Sequence, residues 1–300
     1  MKNISCLVLA VVFLGFVTSV SAITISDDFS SPNYNPTGST LGGKDGGSNW
    51  EGSTWQITTS GTAVASYTTD GSSYTGMPQP NALWHSDAPY TGGNKAYVKR
   101  EWSTPLDITN PANTAITFDI RLVSLSGPLQ DNDLYPYGAI SLGSGNDVIS
   151  IGFLQNSQDT GKLKLVSLEN SGTNHHNLLD GSPGLAGGPA ALTDRTYHIS
   201  IDQVALGTYQ VNVNDTGDGG STNKTTTVNA WTSAPILTYF GASGESDGPG
   251  GGTANTNFII DNISITGTQA VPEPSTVAFF GIGLVGLAGI GMKKLKAQKV

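Results

Sequence analysis

The sequence holds one cysteine, Cys6, in 300 residues. A single cysteine excludes an intrachain disulfide framework. Charge is also scarce, at 12% of residues, and basic charge is the scarcer kind: Lys+Arg 14 against Asp+Glu 23, a formal net charge of −9. That balance excludes a basic nucleic-acid-binding protein. Few charged residues and no sustained helical repeat in the interior argue against long amphipathic helices. Glycine and proline are plentiful, at 39 and 15. They call for many turns, yet stay below the ~25–30% that marks a disordered chain.

Long apolar runs occur only at the two ends. Lys2 supplies a positive start, Ile4–Val20 is apolar, and Val20-Ser21-Ala22 presents small residues. Residues 1–22 therefore read as a secretory signal, cut by signal peptidase after Ala22. An uncleaved membrane anchor is the alternative. Cleavage removes Cys6 and leaves a mature chain without cysteine.

At the other end, Val271, Pro272, Glu273 and Pro274 precede an apolar run, Val277–Met292, and a basic tail containing Lys293, Lys294, Lys296 and Lys299. As a helix this run spans about 24 Å, short of a ~30 Å hydrocarbon core, and snorkelling lysines close the gap. The lysines favour a cytoplasmic C-terminus. Motif, apolar helix and basic tail in this order resemble the PEP-CTERM sorting signal of Gram-negative bacteria. The resemblance covers residues 271–300. It implies recognition by an exosortase-type membrane peptidase, cleavage near the motif, and delivery to the cell surface or extracellular matrix. It also implies an association with extracellular polysaccharide. Read without the resemblance, the segment is a plain tail anchor.

Between the ends lie residues 23–270. Setting aside Lys2, the four tail lysines and Glu273 leaves 9 basic and 22 acidic residues, a net charge of −13. The body alternates apolar and polar residues in short runs between turn residues. Ile116, Phe118, Ile120 and Leu122 share one face of a strand, with Thr117, Asp119 and Arg121 on the other, outward one. Arg195–Val204 and Tyr209–Asn214 alternate likewise around Gly207 and predict a β-hairpin. Further strands are predicted at 23–28, 54–59, 62–68, 96–102, 137–142, 147–154, 162–167, 225–230 and 258–266. This many strands without an evident linker predicts one antiparallel two-sheet sandwich, a jelly roll. Two smaller tandem sandwiches are the alternative. First and last strands are expected side by side.

The hairpin Tyr197–Asn214 and the closing Phe258–Ile263 resemble laminin-G-like and concanavalin-like jelly rolls. The Gly46–Trp50 segment with Trp55 is similar to the N-terminal region of exported bacterial proteins. These resemblances imply the architecture and carry over no binding residue.

Candidate chemistry is sparse. A glycoside hydrolase needs two carboxylates about 5–10 Å apart across a cleft. The alternating Glu-x-Asp-x-Glu strand of several concanavalin-like hydrolases is absent, and Glu51, Glu101, Glu169 and Glu245 are scattered. No Gly-x-Ser-x-Gly elbow is present. His175 and His176 sit between Asn174 and Asn177 and read as loop residues. Asp131 and Asp133, and Asp215 and Asp218, supply hard oxygens for a candidate structural Ca²⁺. Trp84, Tyr135 and Tyr137 lie among turn residues and, with Trp50, are the candidates for stacking on sugar rings.

The expectation is an exported, non-catalytic surface or matrix protein that binds glycan weakly. A purely structural envelope component is the alternative, and a glycoside hydrolase a more distant one.

Overall fold

The computed structural model describes residues 21–34, 38–60, 67–69, 77, 82–86, 95–108, 114–126, 138–144, 147–156, 162–169, 174–180, 195–205, 207–215, 224–229, 236–244 and 255–269. Residues Ala22–Gln269 form one compact unit. Within it the strands are β1 (Ser21–Asp27), β2 (Gln56–Ser60), β3 (Tyr67–Thr69), β4 (Ala82–Ser86), β5 (Lys95–Asp107), β6 (Ala115–Ser126), β7 (Gly138–Ser144) and β8 (Asp147–Asn156). They continue with β9 (Lys162–Glu169), β10 (Asn174–Asp180), β11 (Thr196–Ala205), β12 (Thr208–Asp215), β13 (Lys224–Asn229), β14 (Ile236–Gly244) and β15 (Asn255–Gln269). One 3₁₀ turn, Pro32–Tyr34, is the only helical element among the described residues.

The fold is all-β and antiparallel, as the alternation predicts. The hydrogen-bonded order is β10-β9-β8-β7-β14-β5-β15-β6-β11-β12-β13. β1 and β4 also pair β15, β2 pairs β5, and β3 pairs β4. The path is continuous, but it folds over on itself. β14 and β6 are three strand spacings apart, about 14 Å along a flat sheet. Yet the rings of Phe240 on β14 and Phe118 on β6 meet edge-on at 5.8 Å. Two layers therefore enclose a single main core that includes Ile120, Ile199, Val211 and Ile265. The turn-over lies where Thr268 and Gln269 of β15 switch to pairing Asp107 and Leu106 of β5. Gly267 permits this approach: a Cβ there would stand 3.1 Å from the Asp107 carbonyl oxygen.

The predicted hairpin is present, with Ile201 opposite Val211 and Ile199 opposite Val213. β1 lies beside β15, as expected of first and last strands. Three strands escape the sequence reading: β4, β10 and β14. Trp84 lies in strand β4, paired with Ile259 and Tyr67, and not in a turn. His175 and His176 lie in strand β10 opposite Leu168 and Ser167, and not in a loop. Both segments lack clear alternation and are extended by the strands they pair with.

Asp119 is a further correction. It faces away from the main core as predicted, yet is only 8% exposed. On that outer face its carboxylate meets His198 Nδ1 and Asn262 Nδ2. Asp119 is thus enclosed rather than solvated.

Candidate functional site

Beyond β1 the chain turns away from the sheet through a lobe that includes residues 28–34 and 38–55. The Asp27 Oδ1 accepts the Phe29 N–H at 3.0 Å, closing a tight turn in which Phe29 has φ 54°. Arg100 on β5 fastens the lobe from beneath. Its Nη1 donates to Asp27 Oδ2 at 3.1 Å, Tyr34 Oη at 3.3 Å and the Gly46 carbonyl at 2.6 Å. Nε and Nη2 donate to the Ser53 carbonyl at 3.1 and 2.7 Å. Tyr34 donates to Asp27, and Trp55 Nε1 donates to Tyr34 Oη at 3.0 Å. The guanidinium also sits 4.5 Å from the Trp50 ring centroid. Burial pushes the Asp27 carboxyl above its usual range, against the pull of the Tyr34, Phe29 and Arg100 contacts. Burial likewise lowers Arg100, against the pull of Tyr34 and Asp27. This buried network is satisfied, so it holds structure and presents no free group.

Trp50 belongs to this lobe and is removed from the sugar-stacking set. It is 2% exposed, packs edge-on against Trp102 at 5.5 Å, and donates its indole N–H to the Ser26 carbonyl at 3.0 Å. Its faces are taken by the Arg100 guanidinium and the Trp55 ring, which leaves none for a sugar. Of the other predicted residues, Trp84 is on β4 and Asp215 ends β12 opposite Tyr197. Tyr135, Tyr137, Asp131, Asp133 and Asp218 lie outside the described residues. Among the described residues no group of three or more His, Cys, Asp or Glu side chains is arranged to hold a metal ion.

The lobe and the middle of β15 enclose a polar groove of about 530 Å³. Its lining is Ser26, Asp28, Ser30, Ser31, Gly47, Ser48, Asn262, Ile263 and Ser264. Ser26 of β1 and Ser48 of the lobe exchange main-chain hydrogen bonds at 3.1 and 2.7 Å. Gly47 is required there: its φ is 79°, and a Cβ would lie 2.4 Å from the Ser26 carbonyl oxygen. Asp28 Oδ1 accepts the Ser30 N–H at 3.0 Å and the Ser30 hydroxyl at 2.7 Å.

The β15 wall is a β-bulge. Core-facing positions shift from Phe258 and Ile260 to Ile263 and Ile265, and the pairing with β6 slips between Asp261 and Ser264. Asn262, at φ 51°, is the residue thrown out of register. Its Nδ2 donates to Asp119 Oδ2 at 2.7 Å, and Asp119 Oδ1 meets His198 Nδ1 at 2.8 Å. Its main-chain N–H donates to Asp261 Oδ1 at 2.8 Å. Asp261 is fully buried, and its Oδ2 has no partner among the described residues. Burial first, and then the charges of Asp119, Asp28 and Asp27, push its carboxyl up to about 8. None of the groove residues was singled out from the sequence. The signal that pointed to them is the skipped alternation at Asp261-Asn262 in an otherwise regular apolar strand.

The C-terminal end carries the decisive comparison. Residues 270–293 match the PEP-CTERM protein-sorting motif. Val271, Pro272, Glu273 and Pro274 open the matched stretch. The motif implies export, membrane-anchored sorting by an exosortase-type protease, and arrival at the cell surface. Both end segments expected to be apolar helices lie outside the described residues, among which no helix is long and apolar enough to cross a membrane. No curated protein matches the sequence. Solved structures of similar outline include a mutant of the alginate lyase Aly36B in complex with alginate tetrasaccharide. It is 12% identical, with 84% of this chain and 99% of that chain covered and a TM-score of 0.44. A Shewanella oneidensis protein of unknown function is 13% identical, with 90% and 95% covered and a TM-score of 0.41. Peanut lectin with a bound peptide is 10% identical, with 84% and 100% covered and a TM-score of 0.38. Likenesses at these scores carry no inference about this chain.

Proposed function

We propose that this is an exported cell-surface or matrix protein whose β-domain binds glycan weakly and without catalysis, in association with extracellular polysaccharide. Export rests on the sorting motif. The observation that carries glycan binding is the open groove, with hydroxyls from five serines, a carboxylate and a carboxamide on its lining. Sugar hydroxyls both donate and accept, and serine hydroxyls and an asparagine amide do the same. The volume lies within the ~300–1,000 Å³ usual for small-ligand pockets. Among the described residues no aromatic ring lines the groove, and Trp50, Trp55 and Trp102 are buried. Without stacking, binding is weak.

The non-catalytic reading is supported by the placement of the carboxylates. A glycosidase needs a pair flanking the sugar. Among the described residues Asp28 is the one carboxylate on the groove lining, Asp261 is enclosed, and Asp27 is held by Arg100 and Tyr34. A polysaccharide panel presented to the full-length protein in detergent tests the reading. Retention of at least one polysaccharide, with no release of reducing ends, is expected. Retention of none would leave a purely structural role, and release of reducing ends would make the protein a polysaccharide-cleaving enzyme.

A further inference from the structure

We propose that this groove selects cationic amino sugars over neutral and acidic ones. The inference rests on the glycan reading above and names the class of sugar. Among the described residues Asp28 is the only charged one on the lining, and no Lys, Arg or His is among them. Its Oδ1 is occupied by the two Ser30 contacts, while Oδ2 has no partner among the described residues. Arg100, the cation inside the neighbouring lobe, is 1% exposed and fully engaged by Asp27, Tyr34 and two carbonyls. Its charge is paired with that of Asp27. The field of Asp28 reaches Asp261 behind the bulge, where it adds to the effect of burial.

An ammonium group has three donors and no acceptor, the complement of an ionised carboxylate. A protonated amine on a sugar ring meets Asp28 Oδ2, while neighbouring ring hydroxyls meet Ser48, Ser264 and Asn262. The hydroxyls of Ser26, Ser48 and Ser264 make no hydrogen bond among the described residues, so they are available to a ligand. N-acetylation removes the charge and leaves the hydroxyls. A uronate sets a second carboxylate against Asp28 with no cation between them, an unfavourable pairing. The net charge of −13 on the body works in the same direction at longer range.

The test titrates the full-length protein in detergent, at pH ~6 and low salt, with three tetrasaccharides: glucosamine, N-acetylglucosamine and galacturonate. A free amine is protonated at that pH. The glucosamine oligomer is expected to bind about fivefold more tightly than its acetylated counterpart, as an exposed charge pair allows, and the preference is expected to fade with added salt. The galacturonate oligomer is expected not to bind. Asp28→Asn keeps an acceptor oxygen for Ser30 and removes the charge, so it is expected to bring the affinities of the free and acetylated oligomers together. Equal or tighter binding of the acetylated or acidic oligomer overturns the proposal. So does a preference that survives Asp28→Asn, because the net charge of the body would then be its source. Failure of every sugar in the wider panel removes the glycan reading itself, and this preference with it.

Discussion

Replacing Asp261 by Asn is expected to stabilise the protein, by an amount that grows with pH. Asp261 is fully buried, and its carboxyl is pushed up to about 8 from an ordinary 3.8, by burial first and then by its acidic neighbours. The sign follows from proton binding. Between those two values the unfolded chain has released the proton and the folded chain still holds it. Stability therefore falls as pH rises from about 4 to about 8, by about 1.4 kcal/mol per pH unit, and is level above. Over that interval the cost reaches on the order of 5 kcal/mol. Asparagine never ionises, so the variant avoids it. Its Oδ1 still accepts the Asn262 N–H, and its amide nitrogen replaces the unpartnered Oδ2 on the face shared with Asp119, the opposing residue on β6. Urea unfolding, followed by the fluorescence of buried Trp50, Trp55 and Trp102, measures the difference between variant and native protein. Near pH 4 the two are expected to be about equal, and near pH 9 the variant to be more stable by about 2–5 kcal/mol. A gain that does not vary with pH, or a variant less stable than the native protein at pH ~9, would refute the reasoning.

Other substitutions probe separate parts of the molecule. Asp27→Ala leaves Arg100 buried without its counter-ion and is expected to cost about 3–5 kcal/mol in denaturant unfolding. Glu51→Gln tests a surface clasp: its carboxylate accepts from Ser103 and Thr104 on β5 and from Gln269 at the end of β15. Burial acts to raise the Glu51 carboxyl, but the Ser103 and Thr104 hydrogen bonds outweigh it and hold it at about 2. The clasp is therefore present above pH ~4.5 and lost as pH falls through about 2. Its exposure limits the effect to under about 1 kcal/mol, seen as a small fall in Tm at pH 7 that vanishes in strong acid. Glu273→Ala, within the sorting motif, is expected to block processing in the native host, seen as an unshifted band on a gel; normal processing would remove the sorting role.

What local pattern determined is considerable. Alternation placed β6, β11 and β12 correctly and assigned Ile116, Phe118 and Ile120 to the core, because a side-chain period of two is a local property of an extended chain. The hairpin around Gly207 and the C-terminal motif were legible for the same reason, since each is written in contiguous residues. Tertiary structure decided the rest. Alternation says which face a residue takes, and not whether anything meets it there; Asp119 is buried where it receives His198 and the bulged Asn262. Trp50 reads as a loop aromatic until Arg100, fifty residues on, draws it inward. The groove joins Ser26–Ser31, Gly47–Ser48 and Asn262–Ser264, segments separated by most of the chain. Only the pairing of first strand with last brings them together, and only a bulge in β15 turns Asn262 toward the lobe. Long-range closure has no periodic signature, and the skipped alternation at Asp261-Asn262 marks a slip without saying what it faces, so composition and spacing could name the architecture and the destination of this protein while its groove stayed out of sight.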